Sequence, residues 1–125
     1  MEVIFTRDTI SAPASPVASN EVGAIVEFWG IVRETEGDRA VSGLHYEAYE
    51  SMARSEFARI AEELARAFSV QNALVIHRLD FVPVGEASLF VRVCSKHRGA
   101  ALGFCGALID RMKEDVPIWK VAPPK

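Results

Sequence analysis

The stretch ALVIHRLDFVPVGEASLFVRVCSKHRGAALGFCGALIDRM, residues 73–112, decides the fold class. Ala73–Leu79 and Ala87–Ser95 are apolar, β-branched runs of strand length, and Pro83–Glu86 between them carries turn residues. From Gly99 the period changes: Leu102, Cys105, Ile109 and Met112 fall along one helical stripe, and Pro117 stops it. Strand, turn, strand, helix is the signature of a sheet that packs helices against itself.

The flanking sequence extends this pattern. Val3–Thr6 reads as a first short strand, and Ser11–Asn20, rich in Ser, Pro and Ala, as a loop. Gly23–Arg33 (GAIVEFWGIVR) predicts a long strand, Glu34–Arg39 a polar turn around Gly37, and Val41–Tyr49 a strand returning alongside it as a hairpin. Ser51–Ser69 is the clearest helix. Ala53, Phe57, Ile60, Ala61, Leu64 and Phe68 make one apolar face opposite a charged one, with Ser51 as the expected N-cap. Val116–Val121 is extended. The expected architecture is α+β: an antiparallel sheet with its helices mainly on one side. A single domain over residues 1–125 is expected, with a short strand and irregular segment at 1–22 and a short C-terminal tail at 121–125.

The composition narrows the function classes. Half of the residues are apolar and 25% are charged, with a net charge of −3, which suits a soluble globular domain. That balance argues against nonspecific nucleic-acid binding, which needs a broad basic face. No apolar run has membrane-spanning length and no signal peptide is visible, so a cytoplasmic location is the expectation. Cys94 and Cys105 lack C-x-x-C spacing and read as buried, reduced thiols. Three dispersed histidines without carboxylate partners at ligand spacing give no metal motif.

The charge is unevenly spread. Residues 92–125 hold seven basic side chains (Arg92, Lys96, Arg98, Arg111, Lys113, Lys120, Lys125) against three acidic ones, which suggests a local anion site. His97 and Arg98 stand where a strand gives way to a helix, and helix N-termini favour anions. Lys113 and Lys120 flank Pro117 and Trp119, where the indole can wall a pocket and desolvate an ammonium. Arg33 ends a strand before a polar loop. Each has a plain alternative: a surface cation, a lysine complementing a helix C-terminus, a core tryptophan. His77-Arg78 and His45 read better as structural. A straight helix over 99–113 spans roughly 20 Å, too far for Arg98 and Lys113 to hold one small anion. Either the helix breaks, or a second copy in a twofold dimer completes the site.

Several blocks together resemble the large, catalytic subunit of molybdopterin synthase, the MoaE family. They are Gly30-Ile31-Val32-Arg33, Tyr46-Glu47-Ala48-Tyr49 with Met52-Ala53, Val75-Ile76-His77-Arg78, Val84-Gly85-Glu86, Ser95-Lys96-His97-Arg98, and Lys113 with Val116-Pro117-Ile118-Trp119-Lys120. The resemblance implies an α/β hammerhead-type fold and conversion of cyclic pyranopterin monophosphate to molybdopterin. Sulfur arrives on the C-terminal thiocarboxylate of a small ubiquitin-like partner (the MoaD type), so no other cofactor and no metal is implied. It also implies a homodimer at the centre of a heterotetramer. By position, Lys113 and Lys120 match the family's catalytic residues, and Arg33, His97, Arg98, Lys113 and Lys120 its substrate-binding set.

Two departures motivate an alternative. Val121-Ala122 stand where the family pattern continues with a basic residue and Glu, and the sequence given stops at Lys125. Separately, Asp80 replaces the Gly usual after the His-Arg strand, which reads as a turn variation. A noncatalytic partner-docking module of the same fold is the alternative reading, and an enzyme for another phosphorylated metabolite a third.

Overall fold

The computed structural model describes residues 1–14 and 19–121. In chain order the elements are β1 (Glu2–Thr6), β2 (Ala24–Ile31), β3 (Thr35–Glu36), β4 (Arg39–Ala40), β5 (Gly43–Ala48), α1 (Glu50–Ala67), β6 (Asn72–Arg78), β7 (Asp80–Pro83), β8 (Ala87–Ser95), α2 (Arg98–Asp115) and β9 (Ile118–Val121). Val121, expected in the tail, ends β9, whereas residues 122–125 lie outside the described residues, as do 15–18 of the expected loop.

Two sheets carry the molecule. The larger has the order β1-β6-β8-β2, and the smaller β7-β5-β9. β6 and β8 pair antiparallel, as their short connection predicts, and β8 pairs antiparallel with β2. β1 departs from the expected antiparallel sheet: it runs parallel to β6, with Ile4 opposite Ile76. The chain between β1 and β6 includes α1, long enough for the crossover that parallel neighbours need.

The expected hairpin between Gly23–Arg33 and Val41–Tyr49 does not form. The free edge of β8 takes β2 instead, from Ala24 opposite Ser95 to Ile31 opposite Ala87, with a shift in register at Gly30/Ile31. Beyond it, Val32 N–H donates to the Glu86 carbonyl (3.0 Å) and the Val32 carbonyl accepts from Gly85 N–H (2.8 Å), which draws the chain out of the first sheet. β5 then pairs with β7 and β9. Between β2 and β5 only the short β3–β4 pair closes, around Gly37 at φ +61°.

Asp80 marks the switch between the sheets. It sits at φ +67°, the left-handed region that Asp tolerates better than most side chains and Gly adopts at no steric cost. Its carboxylate lies 3.2 Å from Arg7 Nε. The reversal sends β7 away from β6 and into the smaller sheet.

Both helices cover one face of the larger sheet. Alternation along β6 and β8 aims Ala73, Val75, Leu89, Val91 and Val93 at that face, where they meet Ala53, Phe57, Ile60 and Ala61 of α1 and Ala101, Phe104, Cys105 and Leu108 of α2. Ile10, Leu74, Ile76 and Phe90 pack on the opposite face, and Val32, Val41, Leu44 and Val82 form a separate core with the smaller sheet. Ser51 is not the N-cap of α1. Ala53 N–H donates to the Tyr49 carbonyl at 2.8 Å, which makes Tyr49 the cap residue and leaves Ser51 inside the first turn. Among the described residues, no helix is long and apolar enough to cross a membrane.

Candidate functional site

The two sheets and the last turns of α2 enclose a cavity of about 440 Å³. Arg33, just past β2, Lys113 in the last turn of α2, and Lys120 on β9 all line it. Phe28, Leu44, Tyr46, Ile109, Met112 and Ile118 give it apolar and aromatic walls, and Glu36, His77 and Ser88 also line it.

The local folding reasons are plain. Pro117 ends α2 and the chain resumes as β9, in which Ile118 and Lys120 face the cavity while Trp119, between them, is turned away and 55% exposed. Trp119 is therefore neither the pocket wall nor the core residue that its sequence position suggested. Lys120 lies opposite Tyr46 in the β5–β9 register, and its Nζ is 3.0 Å from Glu36 Oε1 on β3. Lys120 is exposed and Glu36 only half-buried, so this pair is worth at most about 1 kcal/mol and yields readily to a stronger anion. Among the described residues, Arg33 and Lys113 have no carboxylate partner.

The other cations of the C-terminal third are engaged elsewhere. Arg92 pairs with Glu27 at 2.8 Å and donates to the Pro13 carbonyl on the far face of the sheet. Arg111 bonds Glu63 and Asp115, and Arg59 on α1 bonds Glu56 and Glu63, so these charges tie the two helices together. Lys96 sits 3.4 Å from Glu21, and Lys125 lies outside the described residues. Much of the charge asymmetry is therefore structural pairing.

His97 and Arg98 do not join the cavity. They begin α2, an unbroken 18-residue helix whose far end carries Lys113, and 15 residues at about 1.5 Å each put Arg98 roughly 22 Å from it along the axis. Of the two ways to bring them together, a break in the helix is absent. His45 reaches Glu47 at the surface, and Arg78 is held by Glu86 at 2.6 Å, both structural as read. Cys94 and Cys105 are unpaired, and burial pushes the Cys105 thiol up. Among the described residues no group of three His, Cys, Asp or Glu is placed to hold a metal.

His77 is the residue that sequence reasoning undervalued. Its ring is buried, lines the cavity, and stands edge-on to Tyr46 with centroids 5.2 Å apart. Nδ1 lies 2.8 Å from the Arg78 carbonyl oxygen, an acceptor only, so Nδ1 carries the proton and donates. Burial pushes this imidazole below its usual 6.5, and the hydrogen bond to the carbonyl opposes that only in part. The signal in the sequence was the shared face with Ala73 and Val75; Tyr46 opposite comes from a different sheet and was not visible.

This lowered value sets a sign for stability. Below about 6.5 the unfolded chain binds a proton that the folded ring resists, so stability falls as pH drops through that window and is unaffected by this group above it. Glu56 and Glu63, lowered from 4.5 chiefly by hydrogen bonds from Arg59 and Arg111 respectively, lose their stabilisation only at more acidic pH. The melting temperature should decline from pH 7.5 to pH 5.5 in the wild type and less steeply in His77→Asn. Parallel profiles for the two proteins would remove His77 as the cause.

A family model for the MoaE protein matches residues 5–115. The chain belongs to the MoaE family. The molybdopterin synthase catalytic subunit of Oryza sativa subsp. indica is 46% identical over 98 residues, covering 78% of this chain and 51% of the rice protein. The chain thus spans about half the length of that relative. Molybdopterin synthase from Staphylococcus aureus superposes with a TM-score of 0.80 at 28% identity, covering 99% of this chain and 92% of that one. A complex of subunits 1 and 2 of the molybdopterin-converting factor from Helicobacter pylori contains a chain of the same fold, with a TM-score of 0.76 and 21% identity over 96% of this MoaE chain and 83% of its counterpart.

Proposed function

We propose that this chain is the catalytic subunit of a molybdopterin synthase, which moves sulfur from the C-terminal thiocarboxylate of a small ubiquitin-like partner to cyclic pyranopterin monophosphate. The observation that carries this reading is the convergence of Arg33, Lys113 and Lys120 on one cavity in a chain of the MoaE family. The substrate carries a cyclic phosphate, the donor is an anion, and opening the phosphate ring adds negative charge. Preorganised cations in a partly dehydrated pocket are the natural catalytic contribution to such a reaction. Lys113 is assigned the main catalytic role beside the partner's terminal carbonyl, with Lys120 assisting and Arg33 holding substrate. Sulfur comes on the partner, so the reading invokes no further cofactor, and a cytoplasmic location goes with it.

The unbroken length of α2 supports a twofold homodimer at the centre of a heterotetramer, in which His97 and Arg98 of one copy reach the Arg33–Lys113–Lys120 cavity of the other. Complementation tests this. His97→Ala and Lys113→Ala chains are each expected to be inactive alone. Random mixing makes half of the dimers mixed, each with one intact site, so about a quarter of wild-type activity should return. No recovery after demonstrated subunit exchange rejects the shared site.

Reconstitution tests the function itself: purified chain, thiocarboxylated partner and cyclic pyranopterin monophosphate, with dithiolene product measured. Product at catalytic turnover supports the synthase. A wild-type chain that binds the partner and makes no product favours the docking module instead.

A further inference from the structure

The cavity has a polarity that the cations alone do not explain. Arg33, Lys113 and Lys120 are exposed and stand at its mouth, whereas His77 is 4% exposed and stands at its floor among Tyr46, Leu44, Leu89 and Met112. Arg33, Lys113 and Lys120 offer only hydrogen-bond donors. Glu36, the acidic residue lining the cavity, is spent on Lys120. Ser88, also in the lining, is directed at the Gly30 carbonyl. The Tyr46 and Ser88 hydroxyls in the lining can both donate and accept, whereas His77, its one N–H already used, can offer a ligand only an acceptor. With Nδ1–H committed to the Arg78 carbonyl, Nε2 bears a free lone pair and accepts.

Among the described residues Nε2 has no protein partner. Yet the sealed side-chain atom left unpartnered is Arg78 Nε and not this one. Nε2 is therefore open to the cavity, where a ligand can reach it. A buried, neutral acceptor beneath a ring of cations selects a ligand with two different ends. One end is anionic and stays near the mouth. The other is flat, largely apolar, and presents an N–H.

We propose that His77 is a substrate-binding residue whose Nε2 accepts a hydrogen bond from the N–H edge of a heterocycle seated at the cavity floor, with the ligand's phosphate held at the mouth by the cations. The proposal rests on the pyranopterin reading above and adds the direction in which the substrate enters. A pterin carries such donors, a ring lactam N–H beside an amino group, and a cavity of about 440 Å³ has room for its fused rings. Edge-on Tyr46 and the flanking apolar side chains cover the ring faces. An acceptor buried there leaves a penalty when a ligand lacks the donor, which makes it a discriminator as well as an anchor.

Two variants separate the nitrogens. Asparagine reproduces the N–H at the Nδ1 position and lacks a group at Nε2, so His77→Asn keeps the bond to the Arg78 carbonyl and loses the acceptor. Glutamine does the reverse, placing its amide oxygen near the Nε2 position. Binding is measured by calorimetry on the full chain with two probes, unphosphorylated neopterin and inorganic phosphate. His77→Asn should weaken neopterin at least tenfold and leave phosphate unchanged; His77→Gln should stay within threefold for both. Circular dichroism and melting temperature at pH 7.5 certify folding. In the reconstituted reaction His77→Asn should raise KM for the pterin substrate about tenfold with kcat within threefold.

Equal losses in the two variants, no loss of neopterin in His77→Asn, or no neopterin binding by the wild type overturns the proposal. The probes need no turnover, so a wild type that binds neopterin through His77 and makes no product condemns the synthase reading alone. A wild type that makes product with KM untouched in His77→Asn condemns the role of His77 alone.

Discussion

Lys113→Ala should lower dithiolene formation by a factor of about 10²–10³, the usual loss when one preorganised charge is removed from a developing anion. Lys113 lies in the last turn of α2, lines the cavity and is exposed, so the substitution removes a charge without opening the core. Its effect on stability should stay within about 0.5 kcal/mol, as for other surface positions away from packing or caps. Partner binding should persist. Lys113→Arg refines the result: arginine keeps the positive charge but does not give up its proton near neutrality. Substantial activity in Lys113→Arg assigns the lysine to charge stabilisation, and none assigns it to proton transfer or to a shape only the ammonium fits. The assignment fails if Lys113→Ala turns over within threefold of wild type.

Phe57→Ala should produce the largest change in stability, about 3–5 kcal/mol, because it combines lost transfer energy with a cavity that its neighbours cannot close. Phe57 is fully buried on α1, in the one core cluster that also holds the strand residues Val75 and Val91 and the α2 residues Ala101 and Phe104. A domain of this size commonly has only about 5–15 kcal/mol in hand, so the melting temperature should fall by about 10–20 °C. Trp119→Ala is the control: a larger side chain on an exposed face, expected to cost about 0.5 kcal/mol or less. Similar melting temperatures for Phe57→Ala and wild type would mean that the α1 face is not the core it is taken to be.

The two expectations rest on different kinds of legibility. The apolar stripe of α1 was readable because helical period is a local property: Phe57, Ile60 and Ala61 reach the core by spacing alone. The strands β6 and β8, their antiparallel pairing, and the helix after them were readable for the same reason. The false hairpin shows where local reading stops. β2 and β5 are both apolar and adjacent in sequence, but β2 lies against β8 and β5 against β7 and β9, partners that no local period identifies. Trp119 was misread because the choice of face on a four-residue strand depends on which sheet receives it.

The site divides in the same way. From the residues alone came the chemical kinds, cations for an anion, and the family blocks that carry Arg33, His97, Arg98, Lys113 and Lys120. The sequence also contained the length argument, since a rise of about 1.5 Å per residue commits Arg98 and Lys113 to opposite ends of one helix. Only the folded chain brought Arg33, Lys113 and Lys120 around one cavity, tied Arg92 and Arg111 into pairing, and set Tyr46 over His77. Those outcomes depend on contacts between segments tens of residues apart, set by which strand edges pair and which faces meet. Composition and period record what each segment prefers, and the choice of neighbour is made by the whole chain closing its sheets and burying its core.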